Sequence, residues 1–312
     1  MKIGVLTSGG DAPGMNPCIA SLVREASRLG HQTVGIRRGY GGILSGETVV
    51  LRPEDVPGLY KLGGTALLCG RLPELEEPGT QKLAAEKLEA MGLGALVVLG
   101  GDGSFMGGLA LSKFTGIKIV GIPATIDNNI YGSDYTLGYD TALNKLTAYI
   151  DDITDTGLSM GGRIFLVETL GAREGYFPYA AYEMGIADMC VICETSPADD
   201  EVVHQIEEKL RGKNGGSVIV TVAEGMYRTQ IYYDRLTEDG YKAKINMIGY
   251  QQRGGTPTAR ERLHAARFAE EALKAVADDG GQGCQYVVYA GGRYKLLPFA
   301  YAVRRKPFAF RA

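Results

Sequence analysis

The sequence predicts an α/β fold with mostly parallel sheets, and three observations support this prediction. Strand-like and helix-like runs alternate almost throughout the 312 residues, a pattern typical of βαβ units. Glycine makes up 45 of these residues, about twice its usual share of roughly 7%, and the excess falls at turns after strands. The length suggests about two domains.

The predicted elements alternate in chain order. Apolar runs predict the strands, and apolar residues that recur three and four positions apart predict the helices. The expected order is strand 3–6, a helix from about 19 to 29, helix 81–91, strand 95–99, helix 104–113, strand 117–122, helix 140–152, strands 163–168, 188–193 and 217–223, helix 258–277 and strand 285–290. Periodicity alone leaves open which strands share a sheet.

Composition argues against several functional classes. The formal net charge is −3, which argues against an extended nucleic-acid surface. The first strand starts directly after Met1 and Lys2, so we expect no signal peptide, and no apolar run approaches the roughly 20 residues that span a bilayer. The five cysteines suggest no disulfide framework, and Cys190 and Cys193 are expected to be core thiols. These features predict a cytoplasmic protein.

Three predicted strands end in segments that combine glycine with serine or threonine and with aspartate. They are residues 7–14 (TSGGDAPG), 100–104 (GGDGS) and 125–129 (TIDNN). Parallel sheets bind ligands outside the carboxyl ends of their strands. Glycines let backbone N–H groups approach phosphate oxygens, hydroxyls add donors, and aspartate can hold a divalent metal or take a proton. The three segments therefore predict a phosphoryl-transfer site.

These segments resemble the signatures of the 6-phosphofructokinase family, in particular its bacterial ATP-dependent type. The matching segments are 9–16, 100–104, 125–127 and 252–255 (QRGG), and Glu224 also has a counterpart. The resemblance covers nearly the whole chain. The NAD kinase family shares a GGDG loop, but it does not account for segments 125–127 and 252–255.

The resemblance implies two Rossmann-like, three-layer domains with the active site in the cleft between them. The larger, nucleotide-binding domain is expected to hold residues 1–137 and 252–300. The smaller, acceptor-binding domain is expected to hold residues 138–251 and 301–312. The family supplies the positions of Arg163 and Lys244 from a neighbouring subunit, which implies a homotetramer or a homodimer.

Three residues are expected to carry the catalysis. Asp127 is the candidate base, and Thr125 is expected to orient it or to donate to the transferring phosphoryl group. Arg71 matches the family arginine that stabilises the charge developing in the transition state. The structural alternatives are a turn-forming role for Asp127 and, for Arg71, an ion pair with Glu74 or Glu76.

The donor site is expected to bind ATP with Mg²⁺. Asp102 is the candidate metal ligand, directly or through metal-bound water, and its structural alternative is a helix N-cap. Pyrophosphate-dependent members carry Asp and Lys at the positions of Gly103 and Ala124, and a side chain at 103 would block the nucleotide α-phosphate. Tyr40 is expected to pack near the donor. The donor-site residues are Gly10, Tyr40, Arg71, Leu72, Asp102, Gly103, Ser104 and Gly107.

The acceptor side matches the family with departures. The expected ligands are Thr125, Asp127, Arg163, Leu170, Glu224, Lys244, Tyr250 and Arg253. Asn129 replaces a second Asp, and Ala172 replaces an arginine, although Arg173 follows it. Tyr250 stands in place of a phosphate-binding His. Lys244 replaces an Arg, and a lysine cannot supply the bidentate fork of arginine.

These observations predict a Mg²⁺- and ATP-dependent glycolytic kinase that converts fructose 6-phosphate to fructose 1,6-bisphosphate. Three alternatives remain open at this point. The first is a kinase of the same fold for another phosphosugar, or for an unphosphorylated sugar or nucleoside. The second is a pyrophosphate-dependent phosphotransferase, and the third is a catalytically silent ligand sensor.

Overall fold

The computed structural model describes residues 1–278 and 283–308 of the chain. The strands and longer helices alternate as the sequence pattern indicates. In chain order they are β1 (Lys2–Thr7), α1 (Met15–Arg28), β2 (Gln32–Ile36), α2 (Tyr40–Ser45), β3 (Thr48–Leu51), α3 (Pro78–Ala90), β4 (Ala95–Gly100), α4 (Asp102–Leu111), β5 (Lys118–Thr125), β6 (Leu137–Gly138), α5 (Tyr139–Met160), β7 (Arg163–Thr169), α6 (Tyr176–Glu183), β8 (Met189–Val191), α7 (Asp199–Gly212), β9 (Val218–Ala223), α8 (Thr229–Glu238), β10 (Lys242–Met247), α9 (Ala259–Ala277), β11 (Gln285–Ala290) and β12 (Arg293–Pro298).

The first structural unit comprises Met1–Thr141 and Arg253–Pro307. Its eight-stranded sheet has the order β12-β11-β5-β4-β1-β2-β3, with β6 beside β5. The five central strands, β2, β1, β4, β5 and β11, run parallel to one another. The edge strands β3 and β12 are antiparallel to their neighbours. All six residues of β4 are buried, as expected for a central strand that helices cover on both faces.

The second unit comprises Ala142–Gln252 together with Phe308, the last described residue. Its four strands are all parallel, in the order β10-β7-β9-β8. Apolar residues of β7, β8 and β9 form its core with α7 and α8. Every residue of β9 is buried, whereas β10 at the edge has exposed residues at Lys242, Lys244 and Met247.

The α/β class with mostly parallel sheets is confirmed, and most predicted elements are present. The predicted strand 188–193 is too long, because β8 ends at Val191 and the Ser196 N–H then donates to the Ile192 carbonyl in a turn. The predicted helix 140–152 is too short. It continues as α5 to Met160 and stops before Gly161, whose φ of +57° ends it.

The units divide after Thr141, before Arg253 and before Phe308. The predicted boundaries lie at residues 137, 251 and 300. Residues 301–307, which were assigned to the smaller domain, belong to the first unit, and residues 309–312 lie outside the described part of the chain. Among the described residues, none of the helices combines the length and apolar content that a membrane span requires.

Candidate active site

The register of the first sheet brings three strand ends to one edge. Thr7 of β1 pairs with Leu99 of β4, and Leu99 pairs with Ile122 of β5. Beyond this level the Ser8 N–H donates to the Leu99 carbonyl over 2.9 Å. Segments 7–14, 100–104 and 125–129 therefore leave the sheet side by side.

The first glycine loop holds an arginine from far along the chain. Gly9 has a φ of +84°, a conformation that favours glycine. A Cβ added to Gly10 would lie 2.0 Å from Nη2 of Arg253. The same Nη2 donates to the Asp11 carbonyl over 3.2 Å and lies 3.1 Å from Asp11 Oδ1. The loop therefore keeps a guanidinium against its backbone.

The second glycine loop leads directly into α4. The N-cap of α4 is Gly101, so the N-cap interpretation of Asp102 is wrong. Asp102 is the first helical residue, exposed, and its Oδ1 accepts from the Gly103 N–H over 2.7 Å. A Cβ at Gly103 would meet nothing within 4 Å. This end of α4 thus offers open space, a carboxylate and the positive end of the helix dipole.

Ser104 lies beneath this opening. It is buried, and a Cβ on Gly100 would be 2.3 Å from its Oγ, while one on Gly9 would be 3.6 Å away. The glycines at 9 and 100 therefore let the serine hydroxyl approach both loops. This close approach places a hydroxyl donor between two phosphate-binding candidates.

The buried side chain of Tyr40 packs against α4 and bonds to its backbone. Its hydroxyl donates to the Ser104 carbonyl over 2.5 Å, and a Cβ on Gly107 would lie 2.7 Å from its ring. The side chain is buried, and burial raises the pKa of the Tyr40 phenol. The predicted packing role of Tyr40 agrees with this geometry, and Gly107 is required for the close approach.

The backbone before Arg71 is anchored to the first glycine loop. Thr7 Oγ1 donates to the Leu68 carbonyl over 3.0 Å, and the Gly9 N–H donates to the Gly70 carbonyl over 3.3 Å. Arg71 is exposed and Leu72 half-buried. Among the described residues no ion pair joins Arg71 to Glu74 or Glu76.

Asn16, the last residue of the matched segment 9–16, fixes the chain that precedes this stretch. The Asn16 amide donates to the Gly63 carbonyl over 2.9 Å, and its oxygen accepts from the Ala66 N–H over 2.7 Å. Asn16 is buried near the start of α1. The sequence placed Asn16 in the matched segment 9–16 but did not indicate that it holds residues 63 and 66.

Thr125 and Asp127 form the third segment. Thr125 ends β5, and its Oγ1 accepts from the Asp127 N–H over 3.3 Å. A Cβ on Gly101 would lie 3.9 Å from Thr125 Cβ, so this segment adjoins the second glycine loop. Asn128 has a φ of +50° and is buried. The chain therefore turns sharply just after the candidate base.

In the second unit, Glu224 organises the loop after β7. Its Oε1 accepts from the Gly171 N–H over 3.0 Å and from the Ala172 N–H over 2.7 Å. Ala172 has a φ of +55°, an uncommon conformation for a residue with a Cβ. Leu170 is fixed by Gln252, whose buried amide accepts from its N–H over 2.9 Å.

Two of the basic acceptor candidates, Arg163 and Lys244, lie in the second sheet, away from Glu224. Arg163 begins β7, whereas Glu224 follows the carboxyl end of β9. Lys244 pairs with Phe165, near the amino end of β7. The strand β7 has seven residues, so its two ends lie about 20 Å apart at roughly 3.3 Å per residue. Tyr250 follows β10 and is 84% exposed.

A cavity of about 450 Å³ lies beyond the carboxyl ends of β7, β8 and β9. Arg173 lines it together with Arg228, Ser196 and Gly225. Arg228 is also 3.7 Å from Asp199. The arginine that follows Ala172 therefore faces this cavity, which the sequence analysis did not anticipate because its lining comes from three separate loops.

No set of three or more His, Cys, Asp or Glu side chains that would hold a metal alone occurs among residues 1–278 and 283–308. Asp102 stands as a single exposed carboxylate at the end of α4. Mg²⁺ binds in such sites through one or two carboxylates together with substrate phosphates. The donor set at Asp102 fits that kind of ion.

Comparison with known proteins gives consistent matches over the whole chain. The family model described as phosphofructokinase matches residues 2–276. The ATP-dependent 6-phosphofructokinase 1 of Thermus thermophilus is 40% identical over 315 residues, which cover 100% of this chain and 96% of that protein. The ATP-dependent 6-phosphofructokinase of Aquifex aeolicus is 36% identical over 313 residues, which cover 98% and 96%.

Solved structures share the fold. The phosphofructokinase of Saccharomyces cerevisiae superimposes with a TM-score of 0.87 at 29% identity, covering 97% of this chain and 45% of the yeast chain. This chain thus spans less than half of the yeast one. A pyrophosphate-dependent phosphofructokinase from Marinobacter aquaeolei gives a TM-score of 0.84 at 18% identity, covering 99% and 86%, a likeness of fold alone.

Proposed function

The chain belongs to the phosphofructokinase family, and from this premise we propose that it is an ATP-dependent 6-phosphofructokinase. It transfers the γ-phosphoryl group of ATP to a hydroxyl of fructose 6-phosphate and forms fructose 1,6-bisphosphate. Relatives at 40% and 36% identity over nearly their whole length carry the name of that activity.

The proposed mechanism of phosphoryl transfer rests on one observation. The second glycine loop and the Thr125–Asp127 segment leave adjacent strands at the same edge, with Thr125 next to Gly101. Phosphoryl transfer requires a donor phosphate and an acceptor hydroxyl in line, with a base near the hydroxyl. A phosphate bound at the start of α4 would therefore lie beside the segment that carries Asp127.

On the donor side, the backbone of Gly10 and Gly103 and the hydroxyl of Ser104 approach the phosphates. Gly103 leaves room for the α-phosphate of a nucleotide, because a Cβ there would meet nothing within 4 Å. Asp102 would hold Mg²⁺, which when bound would neutralise charge on the donor phosphates. Arg71 is exposed and supplies positive charge for the transferring group.

On the acceptor side, Asp127 takes the proton of the attacking hydroxyl. Thr125 holds the backbone of Asp127 through its Oγ1 and thereby orients the base. Glu224 uses Oε1 for the Gly171 and Ala172 N–H groups, so its Oε2 remains for a sugar hydroxyl. Arg253, fixed at the first loop, attracts the acceptor phosphate.

We further propose that the active form is an oligomer. Arg163 and Glu224 lie at opposite ends of the second sheet, about 20 Å apart along the strands. A small sugar phosphate bound by Glu224 is therefore too far away to contact Arg163 of the same chain. A second copy supplies Arg163 and Lys244 to the site, which makes a homodimer or a homotetramer the working unit.

The acceptor phosphate is held less tightly than in a typical family member. Tyr250 is 84% exposed and cannot carry the positive charge of a histidine. Lys244 is a point charge in place of an arginine fork. A charged hydrogen bond is worth roughly 1.5–3 kcal/mol, so the loss of one raises KM about tenfold or more.

A cytoplasmic location completes the proposal. All five cysteines lie in the described part of the chain, and none of them forms a disulfide there. Burial raises the pKa of Cys69, beside the first glycine loop, to about 11. Thiols in this state suit a reducing compartment.

An acceptor and donor screen tests the function. The purified protein is assayed with ATP and Mg²⁺ against fructose 6-phosphate, other phosphosugars, unphosphorylated sugars and nucleosides, and then with pyrophosphate as donor. We expect the highest kcat/KM for fructose 6-phosphate with ATP. A higher value for an unphosphorylated acceptor would replace the acceptor assignment, and absence of turnover with every pair would indicate a ligand sensor.

A further inference from the structure

The turn that carries Asp127 is held in an uncommon conformation. Asn128 follows the candidate base with a φ of +50° and is 5% exposed. A residue with a Cβ in the left-handed region needs contacts that compensate for its strain. The structure supplies these contacts from two directions.

One set of contacts comes from the residues that follow the turn. The Asn128 amide donates to the Asp134 carbonyl over 3.3 Å. Thr136 Oγ1 donates to the Thr125 carbonyl over 2.6 Å. These bonds fix the two ends of segment 125–128, but neither of them involves the Asn128 carbonyl.

The second direction is the C-terminal segment. The Lys306 ammonium donates to the Asn128 carbonyl over 2.7 Å, a short bond with a charged donor. Lys306 is half-buried, so its side chain runs along the protein before it reaches the turn. The two residues are separated by 178 positions in the chain.

The segment that presents Lys306 is itself anchored. Phe299 is fully buried, and its ring stacks on that of Phe105 in α4 at 5.2 Å. Arg304 lies over the ring of Tyr301 at 4.2 Å and over that of Tyr131 at 5.5 Å. Tyr131 follows the turn by three residues, so the stack attaches the C-terminal segment beside it.

We propose that Lys306 is a positioning residue for Asp127, an inference that rests on the proposed function. Its ammonium fixes the Asn128 carbonyl and thereby the backbone that aims the base at the acceptor hydroxyl. Small misplacements of a reacting group reduce turnover strongly.

The test compares Lys306→Met, which removes the donor, with Lys306→Arg, which keeps it. Lys295→Met is the matched control, because Lys295 is an exposed lysine of β12 in the same unit. We expect Lys306→Met to lower kcat about tenfold with the KM for ATP nearly unchanged, and Lys306→Arg to restore most of the turnover. The control keeps wild-type kinetics.

Hydrogen exchange of a peptide covering residues 125–131 gives a readout that does not depend on activity. We expect faster exchange in Lys306→Met, and wild-type exchange in Lys306→Arg and Lys295→Met. Wild-type exchange in Lys306→Met overturns the inference, as does an equal loss of kcat in the Met and Arg variants. If the wild-type protein lacks turnover, the proposed function fails, while the exchange comparison still decides the role of Lys306.

Discussion

The guanidinium of Arg253 fills the space that any side chain at Gly10 would need. A Cβ added to Gly10 would lie 2.0 Å from Arg253 Nη2, the atom that also lies 3.1 Å from Asp11 Oδ1. The two residues are therefore coupled, although they come from opposite ends of the chain. Glycine at position 10 serves the placement of a cation as well as the approach of a phosphate.

This coupling predicts the effect of Gly10→Ala. The arginine tip swings aside, so we expect little change in the thermal unfolding midpoint. We expect kcat/KM for fructose 6-phosphate to fall about tenfold or more, because a charged hydrogen bond of roughly 1.5–3 kcal/mol is lost. The double variant Gly10→Ala/Arg253→Met is expected to match the poorer single variant. Fully additive losses would mean that the two residues act separately.

Gly103 is predicted to determine the donor. A Cβ at this position has open space, and the φ of Gly103 is not in the left-handed region. An acidic residue is also favourable in the first turn of a helix, so we expect the Gly103→Asp variant to fold normally. The new carboxylate meets the α-phosphate of ATP, and we expect kcat/KM for ATP to fall at least tenfold. Gly116→Asp, at another exposed and open glycine, is the control. A wild-type protein that prefers pyrophosphate in direct competition would contradict the assignment.

Asp127 is predicted to be the base. Asp127→Asn keeps the size of the side chain and removes its ability to take a proton. We expect kcat to fall about 10²–10⁴-fold, while calorimetry shows ATP binding nearly as tight as in the wild type. Asp151→Asn, at an exposed carboxylate of α5, controls for the loss of one negative charge. Wild-type turnover in Asp127→Asn would rule out the role.

The central strands could be predicted because they leave a clear pattern in the sequence. All residues of β4 and β9 are buried, so their sequences are continuous apolar runs. The edge strands β3 and β10 are partly exposed and carry polar residues. The apolar run of β3 is only three residues long, Val49–Leu51. The sequence of β10 does alternate polar and apolar residues, but neither strand was predicted.

The site could be predicted only as separate segments. Spacing and composition identified the three strand-end loops, since each is local in sequence. They gave no indication that Arg253 bonds Asp11 beside Gly10 or that Lys306 reaches Asn128. The first pair is separated by 242 positions in the chain and the second by 178. Such contacts depend on the order of strands in the sheet, which periodicity leaves open.

His264 is predicted to make stability depend on pH. It stacks on the ring of Tyr135 at 4.1 Å. Burial and then the positive charge of Arg260 lower its pKa, while Asp140 partly opposes this shift. The unfolded chain therefore binds the proton more readily, so the contribution to stability is complete above about pH 6.5 and is lost as pH falls through the folded pKa.

We accordingly expect the free energy of unfolding to decrease from pH 7.5 to 5.5. His264→Phe keeps an aromatic ring but does not titrate, and it is expected to flatten this decrease. His204→Gln, at an exposed histidine of α7, serves as the control and keeps the wild-type slope. Urea unfolding at several pH values measures the free energy of unfolding. If its dependence on pH is unchanged in His264→Phe, groups other than His264 cause the decrease.

Oligomer-dependent activity is predicted from the separation of Arg163 and Glu224. If one copy supplies Asp127 and a neighbour supplies Arg163, Asp127→Asn and Arg163→Ala are each inactive alone. Random reassembly of equal amounts restores both residues at about a quarter of the sites in a symmetric oligomer. We therefore expect the mixture to recover about a quarter of wild-type activity after dissociation and refolding together. Recovery no greater than the sum of the two parents, or full activity of a monomer at assay concentration, would show that each chain completes its own site.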